Sequence, residues 1–124
     1  MGDCIYALFP YGLIFEVIST AKKCKSAFQE LLQDFNISEP SDLETGIGCG
    51  EVICGQFGHS SCQFYDAFGV KVNETAMIMH YRGIAVTEDV YKRIYHEIPL
   101  KALPDKRVKW SPKPLKIWEI ISES

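Results

Sequence analysis

Gly46-Ile47-Gly48-Cys49-Gly50-Glu51-Val52-Ile53-Cys54-Gly55-Gln56-Phe57-Gly58 is the stretch on which the fold turns. Glycines at 46, 48, 50 and 55 would each cost a helix about 1 kcal/mol, and β-branched Ile47, Val52 and Ile53 lie between them. Glu44 to Phe57 therefore reads as extended chain, two strands meeting around Gly50-Glu51. Downstream, Phe64 to Phe68 is a further strand closed by Gly69. Val70 to Tyr81 fits a helix with Val72, Thr75-Ala76 and Met79 on one side. Gly83 is placed to end that helix, Ile84-Ala85-Val86 makes a short strand, and Thr87 is placed to cap a helix reaching about His96, with Glu88 and Asp89 in its first turn. In the tail, Val108-Lys109-Trp110, a Pro112-Lys113-Pro114 turn and the alternating Leu115 to Ile121 predict a closing hairpin.

Upstream of the same stretch, Ile5-Tyr6-Ala7-Leu8-Phe9 is a strand-like apolar run stopped by Pro10 and Gly12. Ile14, Val17, Ala21, Cys24, Phe28, Leu31 and Phe35 then recur at spacings of three and four, one apolar stripe on a helix of about six turns. Asn36 to Asp42 has the composition of a connector. The order is strand, helix, three strands, helix, strand, helix and a terminal hairpin, an α+β pattern with helices covering one sheet.

A chain of 124 residues has room for one domain, residues 1–124, and buries enough surface to fold without disulfides or metals. A net charge of −3 argues against a nucleic-acid-binding face, and the basic runs Lys22-Lys23-Cys24-Lys25 and Lys101 to Lys116 read as solvated surface. No stretch approaches the roughly 20 apolar residues of a membrane span, and the N-terminus has no signal-peptide pattern, so the expected location is cytoplasmic. Cys4, Cys24, Cys49, Cys54 and Cys62 have neither metal-ligand nor C-x-x-C spacing and are expected as small buried apolar residues.

The stretch 46–58 resembles the G-I-x-x-G-x-V-x-x-G-x-x-G segment of the class III adenylyl and guanylyl cyclases. Tyr65-Asp66-Ala67-Phe68-Gly69-Val70-Lys71-Val72-Asn73 is similar to that family's Y-[DT]-x-x-G-x-x-V-N. Gly2-Asp3-Cys4-Ile5-Tyr6-Ala7-Leu8-Phe9 resembles its G-D-x-x-x-A-x-F strand, and Gly83 to Tyr91 its G-I-x-V-[ST]-x-x-x-Y helix entry. Several ordered blocks over nearly the whole chain are a far more specific signal than a single glycine motif. The resemblance implies a ferredoxin-like α+β fold, a mainly antiparallel sheet covered by helices. The family's N-terminal strand, two helices and second strand have no counterpart, so the domain is expected to be N-terminally truncated.

The resemblance also implies a chemistry. In the family, a 3′-hydroxyl attacks the α-phosphorus in line with departing pyrophosphate, with two divalent ions, Mg2+ or Mn2+, holding the charge. It implies that Asp3 is a metal ligand, that Asp66, Phe68 and Gly69 bind the nucleotide, with Asp66 reading the base and favouring ATP, and that Asn73 is the catalytic residue orienting the ribose. The lysine that partners Asp66 in the family belongs to the missing N-terminal region. The family's transition-state arginine falls at Met77, which has neither donor nor charge; losing one such donor costs about 3 kcal/mol.

His59, His80 and His96 are scattered and read as surface histidines, Met77-Ile78-Met79 as core, and Lys71 as solvent-exposed. The resemblance thus implies a cyclase homology domain, ATP to cAMP plus pyrophosphate by ancestry, degenerate or inactive alone. Its expected partner is a second copy or another cyclase subunit. The alternative is a non-catalytic dimerisation or regulatory module. Either way the strands of 46–58 and 64–68 are expected in one antiparallel layer, forming with the Asn73 helix the wall of a nucleotide pocket, and the truncated sheet is expected to leave an unpaired edge prone to self-association.

Overall fold

The computed structural model describes residues 4–38, 41–79 and 83–121, apart from the side chains of 64 and 65. The chain forms a 3-10 turn, Tyr11–Leu13, continuous with helix α1, Ile14–Asp34. Strands β1 (Thr45–Ile47), β2 (Ile53–His59) and β3 (Cys62–Phe68) follow, then α2 (Val70–Ile78), β4 (Ile84–Thr87), α3 (Glu88–Ile94), β5 (Leu100–Lys106) and β6 (Leu115–Ile120). Four strands make the main sheet in the order β1-β4-β6-β5, and β2 and β3 make a separate hairpin. Only β1 and β4 run parallel in the main sheet; the other pairs are antiparallel.

Alternation along the strands puts an apolar layer on each face of the main sheet. On one face Ile47, Ile84, Val86 and Ile120 pack with Ile14 and Ile18 of α1 and with Val90 and Ile94 of α3. On the other, Ala85 and Ile117 pack with Ile78 of α2. Tyr91 of α3 stacks on Trp118 of β6 at 4.0 Å, and the Arg93 guanidinium lies 3.8 Å over the Tyr11 ring, tying the 3-10 turn to α3.

Several expectations require correction. Residues 5–9 form no strand; they run without regular structure and are exposed, because a strand composition does not supply a ladder partner. The inward stripe of α1 runs through Ile14, Val17, Ile18, Ala21, Lys25, Phe28 and Leu32, whereas Cys24, Leu31 and Phe35 are exposed. The expected series had a mean spacing near 3.5 and drifts around a helix of 3.6 residues per turn. The first arm of the terminal hairpin is β5, not 108–110. Pro104 and the charges around it hid this strand, which tolerates them as an edge strand with a register shift between Leu103 and Lys106.

Thr87 precedes α3 but makes no side-chain cap; it is buried in the sheet, and its Oγ1 has no hydrogen-bond partner among the described residues. Finally, Cys4, Cys24, Cys54 and Cys62 are exposed and Cys49 is half-buried, since they sit on the N-terminal arm, the outer face of α1 and an open hairpin. The helices expected at 70–81 and to about His96 end at Ile78 and Ile94.

Candidate functional site

The glycine-rich stretch 46–58 divides between the two sheets, so its strands do not share one antiparallel layer. Residues 46–50 follow α2 closely. A Cβ at Gly46 would stand 2.8 Å from the Thr75 carbonyl oxygen and 3.1 Å from Met79 Cβ; one at Gly48 would collide with Thr75 Oγ1, and one at Gly50 with the Lys71 side chain. Past residue 50 the chain leaves α2 and pairs with β3, with Gly55 opposite Asp66 and Ile53 opposite Phe68.

Directly opposed and alternate residues share a face of a hairpin, so Ile53, Gly55, Phe57, Asp66 and Phe68 line one surface. Phe57 and Phe68 meet edge to face with centroids 4.8 Å apart. A Cβ at Gly55 would meet nothing within 4 Å, leaving open space beside the half-buried Asp66. One oxygen of that carboxylate, Oδ1, accepts the Ala67 N–H at 2.8 Å. The Tyr6 hydroxyl donates to the Ala67 carbonyl at 3.2 Å. Desolvation, and then the neighbouring Asp66 and Cys54, push the Tyr6 phenol above its ordinary pKa.

From Phe68 the chain turns into α2 through Gly69, at φ 155°. A Cβ there would lie 3.3 Å from the Glu51 carbonyl oxygen, so glycine answers both the backbone angle and the space. The Gly69 carbonyl accepts the N–H groups of Val72, at 3.2 Å, and Asn73, at 3.3 Å, which fixes Asn73 in the first turns of α2 with its side chain exposed. Met77 follows one turn later. Lys106 Nζ donates to its carbonyl at 3.2 Å, where a cation suits the negative end of the helix.

The opposite flank of α2 carries a feature that sequence reading missed. Lys71 is half-buried rather than solvent-exposed; its Nζ lies 2.7 Å from Asp89 and 3.4 Å from Glu74. The Asp89 hydrogen bond, opposed by desolvation, raises the lysine above its ordinary pKa. These side chains border a cavity of about 310 Å3 between α2, the start of α3 and the β5–β6 loop. A second cavity lies along α1, around Lys22 and Glu30. Neither includes Asp66, Phe68, Gly69 or Asn73, of which Phe68 and Asn73 are exposed and Asp66 and Gly69 half-buried.

The remaining candidates are quickly placed. His59 Nδ1 is 3.1 Å from Ser61 Oγ, and His96 packs on Tyr95 at 3.8 Å. Asp3 and His80 lie outside the described residues. Among the described residues no three His, Cys, Asp or Glu side chains converge as a metal's ligands would. The donors among the described residues therefore do not by themselves make a site for a pair of divalent ions.

Solved structures similar to this chain include the adenylyl cyclase CyaB from P. aeruginosa, with a TM-score of 0.71 at 18% identity, and the guanylyl cyclase Cya2, with 0.64 at 23%. Each alignment covers 86% of this chain. The fold is that of the adenylyl and guanylyl cyclase catalytic domains. The chain spans 58% of the CyaB chain and 57% of the Cya2 chain, a little over half of each. No protein-family model matches the sequence, and no curated protein does. Within the cyclase fold, Asp66 and Phe68 come from the separate hairpin and Asn73 from the helix that β1 holds against the main sheet. No described helix is long and apolar enough to cross a membrane.

Proposed function

We propose that this chain is a nucleotide cyclase homology domain, inactive by itself, that offers Asp66 and Asn73 to an ATP site completed by a second subunit. The observation that carries this reading is the surface around Asp66. A half-buried carboxylate stands beside open space left by Gly55, flanked by an exposed aromatic, one tight glycine turn from an exposed asparagine on a helix. A carboxylate in that setting accepts from the amino group of adenine, and Phe68 offers an apolar face to a base. Asn73 can hold a ribose oxygen. None of these groups is enclosed, so a partner surface has to supply the opposite wall.

Cyclisation forms a bond between the 3′ oxygen and the α-phosphorus, breaks the bond from that phosphorus to the bridging oxygen, and releases pyrophosphate and the hydroxyl proton. Charge accumulates on the transferring phosphate, and Met77 offers it nothing. Absence of one preorganised donor there costs about 10²–10³ in rate. With the metal donors unmatched as well, no ion-assisted step is assigned to these residues.

Incubating the pure chain with ATP and Mg2+ or Mn2+ is expected to give no cAMP, and measurable turnover by the homogeneous chain would contradict the reading. Calorimetry is expected to show ATP bound in preference to GTP, with Asp66→Ala weakening ATP about tenfold, the effect of one charge-assisted hydrogen bond. A second reading, a non-catalytic dimerisation or regulatory module on the same scaffold, is favoured by Met77. It expects self-association with no ATP affinity, so tight metal-dependent ATP binding counts against it.

A further inference from the structure

The cavity of about 310 Å3 between α2, the start of α3 and the β5–β6 loop takes no part in the surface around Asp66. Its walls come from residues 71–116, with Ile78 of α2 and Leu115 of β6 as apolar lining and Thr87 of β4 beside them. β4 and β6 are the two strands of the main sheet paired on both sides, so the cavity is framed by ladders that are complete within the chain. Its volume is that of a site for a small molecule.

The charges lining it are sorted by wall. α2 and the start of α3 bring Lys71, Glu74, Glu88 and Asp89, whereas the β5–β6 loop and the start of β6 bring Lys113 and Lys116. Lys71 is already engaged, 2.7 Å from Asp89 and 3.4 Å from Glu74, and Glu88 lies 3.9 Å from Lys92 outside the cavity. Among the described residues Lys113 and Lys116 form no ion pair. The side chain of Glu74 is only 15% exposed, and its one ionic contact, at 3.4 Å, is longer than a charge-assisted hydrogen bond. A carboxylate so withdrawn from water calls for closer donors. Thr87, 5% exposed, adds a hydroxyl whose Oγ1 has no hydrogen-bond partner among the described residues, where buried hydroxyls are ordinarily satisfied.

We infer that the cavity is a binding site for a small zwitterion, a molecule with an ammonium group at one end and a carboxylate at the other. The ammonium donates to Glu74 on the helix wall, the carboxylate accepts from Lys113 and Lys116 on the loop wall, and the Thr87 hydroxyl gains a partner. Ile78 and Leu115 meet the methylenes between the two charged ends. A simple anion would suit the loop lysines and be repelled by the carboxylates, and a simple cation the reverse, so only a ligand carrying both charges satisfies both walls. The site uses neither the hairpin nor Asn73, and it does not rest on the functional reading.

Titrating the whole isotope-labelled chain with the ω-amino acids from glycine to aminohexanoate, followed by amide chemical shifts at low ionic strength, tests it. Butylamine and butyrate are the singly charged controls. The expected result is saturable shifts at the amides of Glu74, Thr87, Lys113 and Lys116 with at least one member of the series. Both controls should bind at least about tenfold more weakly, as follows from losing one charge-assisted contact. Glu74→Gln, and the double variant Lys113→Met with Lys116→Met, are each expected to weaken the bound member about tenfold and to leave the circular dichroism spectrum unchanged. No saturable shift at these amides with any member of the series overturns the inference. So does butylamine or butyrate binding as tightly as the zwitterion, or binding that either variant leaves undiminished.

Discussion

Strand β1 and the β2–β3 hairpin come from one glycine-punctuated stretch and do opposite work. In β1 the glycines are spaces filled by a neighbour, since Gly46 and Gly48 let the backbone lie directly on α2. In the hairpin Gly55 is a space left open, beside Asp66. Ile47 is 6% exposed in the core, whereas Ile53 is 71% exposed on the hairpin, and the hairpin's contacts are almost all internal. Identical residue types at similar spacing thus serve cohesion in one half of the stretch and presentation in the other. A surface that gives up burial to present a carboxylate and aromatics is one from which a ligand or partner gains.

The largest effect that separates the two halves is at the isoleucines. Ile47→Ala removes a buried side chain shared by α1, α3 and the sheet, and should lower stability by about 2–5 kcal/mol. Ile53→Ala removes one that water already reaches, and should change stability by less than about 0.5 kcal/mol. Urea denaturation of both variants checks this. A comparable loss at Ile53 would mean that the hairpin is packed in solution and that the contrast drawn above does not hold.

The glycines come next. At Gly46→Ala the new methyl meets the Thr75 carbonyl and Met79 Cβ, neither the end of a flexible chain, so α2 has to shift at a cost of about 1–3 kcal/mol. At Gly55→Ala nothing lies within 4 Å, and stability should change by less than about 0.5 kcal/mol. Because α2 also carries Asn73, Gly46→Ala should disturb the ribose contact proposed for Asn73, whereas Gly55→Ala acts by filling the space beside Asp66. Thermal unfolding combined with nucleotide titration of the two variants distinguishes these routes.

The same contrast accounts for what could be read from the sequence. Periodicity reveals which face is apolar wherever an element packs along its length. The first turns of α1, α2 through Ile78, the core strand Ile84–Thr87 and α3 are legible for that reason. Asp66, Phe68, Gly69 and Asn73 are candidates by resemblance to a family motif; the chain places the first three on the hairpin and its closing turn and the last on the helix beyond. Pairing is not written in composition. Ile5 to Phe9 has the residues of a strand and no ladder, while Leu100–Lys106 has a ladder and the residues of a loop. The Lys71–Asp89 ion pair was equally hidden, because it exists only once α2 and the start of α3 lie side by side.

The outer half of α1 gives the smallest expected effect and the finest test of the contrast, because like the hairpin it lies beyond the packed sheet. Past Ile18 it has no fully buried side chain. It is fastened instead by Lys25, whose Nζ is 2.7 Å from Asp42 Oδ2, and by Gln29, 3.1 Å from Oδ1. The Lys25 hydrogen bond, with smaller help from the Leu43 N–H and against some desolvation, holds the Asp42 carboxyl below its ordinary pKa. A carboxyl depressed on folding stabilises the protein above its unfolded pKa of about 4, and that contribution is lost as pH falls through the lower folded value. Asp42→Asn keeps the side-chain oxygen that faces Leu43 and removes the charge. It should destabilise by less than about 1 kcal/mol at neutral pH, in the range of partly exposed ion pairs, and the gap from the native chain should close below about pH 3. If the gap is instead constant down to acid, the loss is one of packing, and this end of α1 belongs with the cohesive half of the molecule.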